Sequence, residues 1–456
     1  MTMFSIADAA SAVTGQLDLT FGSERIQAVS TDSRRIKVGD LFVALKGANF
    51  DGHDYVAEVL ANGAAAALVS ETYAEQHPHP RLVAVGDPLH ALADLATHWR
   101  KQFCMPVIGV VGSNGKTTTK GMCASILTAH FGAQNILATS GNLNNEIGVP
   151  SMVLRLRDGV LAAVFEIGMN HPGETAVLAK VALPTVALIN NAQREHQEFM
   201  KTVHAVAIEH AALIDVLAVD GIAVINADDD YADLWRQHAG KRQVLSAGFA
   251  SSADVSVTFQ ATGLGGQLQL FTPWGGCDVA LAVPGTHNAR NAAMAAAATL
   301  AIGVPLDAVA RGLENFSAVK GRLQRRCGRN GATIIDDSYN ANPDSVRAAI
   351  EVLAAIPGKR ILVIGDMGEV GDQAAQFHDE IGGYAKSHGI DLLFCLGQHS
   401  RSAAANFGPG ALHFEHLNAL VKALTGELSE QTSVLIKGSR FMQMERVADA
   451  IVEDAK

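Results

Sequence analysis

The sequence predicts an α/β fold in three domains, and three observations carry that reading. A glycine-rich turn, GSNGKTT at residues 112–118, follows an apolar run of β-formers and leads into a helical stretch. Between residues 104 and 318 further apolar runs alternate with helical segments, the pattern of a doubly wound sheet. The alternation then starts afresh over residues 319–456. At 456 residues the chain is long enough for about three domains, each with its own core.

The elements follow in order. Residues 1–103 form a small N-terminal α/β domain: Ser5, with Asp8 three residues on, reads as a helix cap. VSTDSRR comes next, then the strand LFVAL, the helix DYVAEVLANG and the strand AAALVS. A join falls at RKQFCMP, where Pro106 precedes the central domain, residues 104–318. There Val107, Ile108, Val110 and Val111 suit a buried parallel strand, which reads as a continuous apolar run. A helix is expected over 118–130, strands at VLAAVFEIG, TVALIN and GIAVIN, and an alanine-rich helix over 288–301. A second join spans 318–331. Beyond it ATIIDD, RILVIGD, LLFCLG and SVLIKG alternate with helices, which reads as a Rossmann-like C-terminal domain.

Composition narrows the function. Hydrophobic content is 48% and charged content 18%, the balance of a globular chain. A net charge of −11 argues against a nucleic-acid or anionic-membrane partner, so an anionic substrate must meet local basic clusters. Five scattered cysteines without CxxC spacing argue against a disulfide framework and a structural zinc site, and for a reducing compartment. The N-terminus lacks a basic segment before an apolar core, and no run approaches membrane-spanning length. A cytoplasmic protein without membrane insertion is expected.

The turn at 112–118 is built for a phosphate. Gly112 and Gly115 permit backbone angles that point successive N–H groups into one concavity. Lys116 adds charge, a hydroxyl of Thr117 or Thr118 can join the coordination of Mg²⁺, and the following helix presents its positive end. The usual P-loop spacing would place a glycine at Val110; here the motif is the shorter Gly112-Ser113-Asn114-Gly115-Lys116-Thr117. Strand ends supply further candidates. Glu166 ends an apolar strand, where a carboxylate needs a partner: a metal ion or a backbone turn. His196 lies just past another strand, as a ligand or as a packed residue. Asp337, Asn340 and Asn342 crowd one turn before a helix, where turn and capping chemistry compete with a binding role. Asn288 and Asn291 share a helix face and could read a base or cap the helix. Arg34, Arg35 and Lys46 form either a solvated face or an anion patch.

Taken together, GSNGKTT, Glu166, the NNxxxxH segment, GTHNxxNxxAA and the KGR at 320–322 resemble the Mur ligases, ATP-dependent enzymes of bacterial peptidoglycan synthesis, over essentially the whole chain. TSGNLNNEIGVP, EIGMNHPGE, DDSYNANPDS and GDMGEVG are similar to the member that joins D-alanyl-D-alanine to UDP-N-acetylmuramoyl-tripeptide. The DNPR-type motif of the diaminopimelate-adding sibling is absent, and a folylpolyglutamate-synthase-like ligase would lack the TDSRR…DGHDY block. The resemblance implies a monomer that uses ATP and Mg²⁺. It implies that Lys116 and the amides of residues 112–118 hold the phosphates. Thr117 and Glu166 would hold one Mg²⁺ and His196 a second ion, while Asn288, Arg322 and Asp337 contact the nucleotide. Thr31, Asp32, Ser33, Arg34, Lys46 and Gly47 would hold the uridine diphosphate, Asn142 and Asn144 the sugar–peptide portion, and Tyr339, Asn340 and Asn342 the dipeptide. Many members also carry a carbamylated lysine. Its place falls here at His210, beside Glu209, and residues 202–240 contain no lysine. Either Glu209 or His210 stands in for the carbamate, or both are ordinary residues of an exposed helix face.

Overall fold

The computed structural model describes residues 2–453. Three sheets are built from successive stretches of chain, with five, nine and six strands. The expected cap at Ser5 is a reciprocal box with Asp8.

In the central sheet the strand Val107–Val111 pairs in parallel with Ala162–Glu166 on one side and Val186–Ile189 on the other. The chain therefore winds outward in both directions from this strand, and its carboxyl end opens a crevice where a ligand can sit between the diverging connections. The helix Lys116–Phe131 leaves that point, starting two residues before the sequence suggests. The helix Thr286–Leu300 buries nearly its whole circumference, and its alanines allow it to lie close against the sheet.

Two features depart from expectation. Residues 255–281 are not part of the helix–strand alternation: Val255–Thr262, Gly265–Thr272 and Gly275–Leu281 form a meander, antiparallel from the second strand onward. Buried and exposed residues alternate along Gly265–Thr272, as on a strand with one wet face. In the second join, Gln324–Cys327 pairs antiparallel with Thr333–Asp337 and so belongs to the C-terminal sheet.

In that sheet Thr432–Lys437 lies between Thr333–Asp337 and Lys359–Gly365, all parallel, so the ends of these three strands meet the crevice of the central sheet. The first domain is joined to the central one more intimately. A single apolar cluster runs from Met3 through Trp99 to the helices that cover one face of the central sheet. Trp99 Nε1 donates to the carbonyl of Leu156 at 3.0 Å. Arg100, buried, donates to the carbonyls of Ala182 (3.0 Å), Phe103 (2.6 Å) and Leu183 (3.1 Å). These carbonyls lie at or just past two helix C-termini, where a cation is favoured. Truncation would leave them buried and unmet. We therefore expect Arg100→Ala to cost about 3 kcal/mol, measured by chemical denaturation; a loss within error of zero would show that water replaces the guanidinium freely.

Candidate active site

The phosphate loop is shaped by the asparagines that follow the strand Val186–Ile189. Gly112 and Gly115 have φ of 144° and 79°. A Cβ on Gly115 would lie 2.6 Å from the side-chain amides of Asn190 and Asn291, so only glycine fits. Asn191 accepts the backbone N–H of Ser113 (3.1 Å) and, through Oδ1, that of Asn114 (2.8 Å). This corrects the expectation that all the amides of 112–118 face a phosphate: two brace the loop. The helix Lys116–Phe131 has no side-chain cap, and the N–H groups of Lys116, Thr117 and Thr118 point out of its first turn unpaired.

Lys116 folds back over this loop. Its ammonium donates to the carbonyls of Gly112 and Ser113 and pairs with Glu195 Oε2 at 3.1 Å. Glu195 is 6% exposed, and its other oxygen lies 3.2 Å from His210 Nε2. Burial alone would push the Glu195 carboxyl up; Lys116, then His210 and His196, override it and hold it at about 2. Neither reading of the pair at 209–210 survives whole. Both residues are buried, so the helix face is not exposed. Glu209 accepts the N–H groups of Gly173 (2.8 Å) and Thr175 (2.7 Å), which caps the helix Glu174–Ala182 and turns both its oxygens to that helix. His210 instead faces the loop through Glu195.

Glu166 Oε1 accepts from Thr117 Oγ1 (3.2 Å) and Asn144 Nδ2 (2.9 Å), while its buried Oε2 has no partner. An orphaned carboxylate oxygen beside a threonine hydroxyl suits a hard cation such as Mg²⁺. His196, in the left-handed region (φ 46°), lies with Nδ1 2.8 Å from Glu369 Oε2 of the C-terminal domain. Among the described residues no three His, Cys, Asp or Glu side chains cluster as a ready-made metal cage.

Two cavities flank the loop. The smaller, about 210 Å³, is lined by Thr118, Asn288, Arg322 and Asp337. Asn288 donates to the carbonyl of Pro284 at 2.7 Å, and Asn291 bridges it to Asn190. Asp337 receives Lys437 Nζ at 2.6 Å, and Arg322 lies over the Tyr339 ring at 4.4 Å. The larger, about 620 Å³, brings together Ser113, Lys116, Asn142, Asn144, Glu166, His196, Tyr339, Asn340 and Asn342. Asn342 also caps the helix Pro343–Ala354 and exchanges bonds with the Asn114 amide at 2.9 and 3.3 Å. Thr31, Asp32, Ser33, Arg34, Lys46 and Gly47 line neither cavity. Asp32 is engaged by Arg34 at 2.8 Å, and Lys46 by Asp51 at 3.6 Å.

Sequence reasoning missed Glu195, Asn190, Asn191, Glu369 and Lys437. The asparagine pair was visible as part of NNxxxxH, but its grip on the loop depends on the parallel register of two strands distant in sequence. Lys116→Ala leaves Glu195 buried without its main cation. We expect a loss of about 3 kcal/mol by chemical denaturation, and recovery of most of it on adding Glu195→Gln. Equal stability of Lys116→Ala and the wild type would dismiss the pair.

The comparisons agree with this geometry. Residues 25–100 match the Mur ligase family catalytic domain, 110–299 the Mur ligase middle domain, and 321–440 the Mur ligase glutamate ligase domain. The UDP-N-acetylmuramoyl-tripeptide–D-alanyl-D-alanine ligase of Escherichia coli K12 is 40% identical over 433 residues, 94% of either chain. MurF from Acinetobacter baumannii superposes with a TM-score of 0.90 at 34% identity over 98% of both chains. MurF from Thermotoga maritima, solved in complex with ADP, has a TM-score of 0.84 at 28% identity over 93% of this chain and 96% of its own.

Proposed function

The chain belongs to the Mur ligase family, and from that premise we propose that it joins D-alanyl-D-alanine to UDP-N-acetylmuramoyl-tripeptide at the expense of ATP, giving the pentapeptide, ADP and phosphate. One observation carries the reading: a single cavity is lined at once by the phosphate loop, by Glu166 and by the SYNAN turn of the C-terminal domain. The three bodies of such a reaction (nucleotide, acid and amine) need to meet in one enclosed space.

The carboxylate of the tripeptide attacks the γ-phosphate and becomes an acyl phosphate; the dipeptide amine then attacks that carbonyl and phosphate leaves. The first-turn N–H groups of residues 116–118 and the Lys116 ammonium stabilise charge on the transferred group. Glu195 holds that ammonium in place before the nucleotide arrives. Glu166 and Thr117, already hydrogen-bonded, would hold Mg²⁺, which would neutralise phosphate charge, and His196 would serve a second ion. Asn288, Arg322 and Asp337 grip the nucleotide in the smaller cavity, and Asn142 and Asn144 receive the sugar–peptide portion. Tyr339, Asn340 and Asn342 meet the dipeptide. Thr31, Asp32, Ser33, Arg34, Lys46 and Gly47 hold the uridine diphosphate. Domain boundaries fall near 103 and 318. On this reading the enzyme works as a monomer in the cytoplasm, with ATP and a nucleotide-linked substrate. No helix among the described residues is long and apolar enough to cross a membrane.

Phosphate release from ATP should require both UDP-N-acetylmuramoyl-tripeptide and D-alanyl-D-alanine, each omitted in turn. Equal turnover with free diaminopimelate, lysine or glutamate as acceptor would retain the family and reject this substrate pair. A second expectation concerns His210. With Glu195 against it, and no lysine over 202–240, turnover in degassed, bicarbonate-free buffer should match that after bicarbonate is added. A saturable rescue would mean that a lysine from elsewhere becomes carbamylated.

A further inference from the structure

The segment Arg194-Glu195-His196 leaves the central sheet with its side chains turned alternately to two bodies. Glu195 faces inward to Lys116, while its neighbours face the C-terminal domain: His196 meets Glu369, and Arg194 meets two carboxylates at once. The arginine contact is dense. Nη2 donates to Asp344 Oδ1 at 2.5 Å, Nε to the same oxygen at 3.0 Å, and the Arg194 backbone N–H to Asp344 Oδ2 at 2.9 Å. Nη1 and Nη2 donate to the two oxygens of Glu380 at 2.9 and 3.2 Å, and the guanidinium sits 5.3 Å from the centroid of the Phe377 ring. Asp344 follows Asn342, which bonds Asn114 of the phosphate loop, by two residues, and Arg347 supports Glu380 at 3.1 Å.

We propose that Arg194 is a positioning residue that docks the C-terminal domain onto the phosphate loop. It rests on the ligase reading above but goes beyond it. The site needs a domain that can open for substrates and close for chemistry, and a closing contact should be specific yet reversible. A planar guanidinium shared between two carboxylates on separate helices, Pro343–Ala354 and Ala374–Ser387, meets both needs. The fork fixes the angle at which the domain sits, because one arginine aligns two helices together. The side chains of Arg194 and Asp344 remain 22% exposed, so water can enter when the domains part and neither charge is left stranded. Docking at Arg194 also fixes the backbone of Glu195, which aims Lys116. The same three residues therefore register domain closure and orient the phosphate-binding lysine. Arg194 also lines the larger cavity, so the populations of the docked and open states must be read beside kcat.

The test uses the full-length enzyme carrying donor and acceptor dyes on the N-terminal and C-terminal domains. Arg194→Gln should shift the population away from the docked state and lower kcat about 30- to 100-fold, since small displacements of a reacting group cost that much. KM for UDP-N-acetylmuramoyl-tripeptide, held by the first two domains, should change less than about threefold, and the melting temperature should stay near wild type. Arg194→Lys should recover part of both docking and kcat, and Asp344→Asn added to Arg194→Gln should cost little more. Unchanged kcat in Arg194→Gln would overturn the proposal. So would a fall in kcat with the docked population intact. If the wild type released no phosphate with the two acceptors, the ligase reading would fail, while the fluorescence populations would still decide whether Arg194 docks the domains.

Discussion

The site depends on one ion pair, Lys116 with Glu195, at the carboxyl end of a buried strand. Lys116 stands where apolar residues of the sheet give way to the crevice. Glu195 answers it from the next strand's connection, and His210 closes behind Glu195. The loop is braced as well: Asn190 and Asn291 leave room at residue 115 only for glycine, and Asn191 takes two of the loop's amides. In the proposed reaction a phosphate arriving here would meet donors already set, so little reorganisation would oppose binding or transfer.

This arrangement explains why one three-residue segment does so much. The chain turns twice within this segment: the Glu195 N–H donates to the Gln193 carbonyl at 2.9 Å, and His196 has a φ of 46°. Arg194 and His196 therefore reach outward to the C-terminal domain while Glu195 reaches inward to the phosphate loop. Electrostatics favours the placement as well. The chain is acidic overall, with a net charge of −11, and the C-terminal domain contributes Asp344, Glu369 and Glu380 to this boundary. Arg194 answers Asp344 and Glu380, and His196 answers Glu369.

Much of the fold was legible because its signals are local. The continuous apolar run before GSNGKTT, the glycines and the cap at Ser5 each act within a few residues. Glu166 and Asp337 were legible as carboxylates at strand ends, where an apolar environment makes them conspicuous. The meander over 255–281 was passed over because its strands alternate and so lack the continuous runs that marked the others. Glu195 was passed over for a different reason. A charged residue in REHQEF reads as solvated surface, and only the approach of Lys116 and His210 from 79 and 15 residues away makes it buried. Glu209 misled in the same way, since the backbone it caps belongs to a helix 34 residues earlier. Partners set by tertiary register leave no mark in the pattern of either segment alone.

The apolar cluster shared between the first two domains bears on how the chain is made. It begins at Met3 and is completed by Trp235 and Ala239, more than halfway along the sequence. The N-terminal domain leaves the ribosome first, but the helix that carries Trp99 packs against Gly148–Val153 and Glu174–Ala182, so its face cannot be covered until about 80 further residues have followed. At bacterial elongation rates that is an interval on the order of ten seconds, during which a sticky surface is held close to the ribosome. The two domains thus enter the cell as one folding unit whose early half waits for its late half, whereas the C-terminal domain, with apolar clusters that begin at Leu323 and Ala332, is drawn almost wholly from its own stretch of chain.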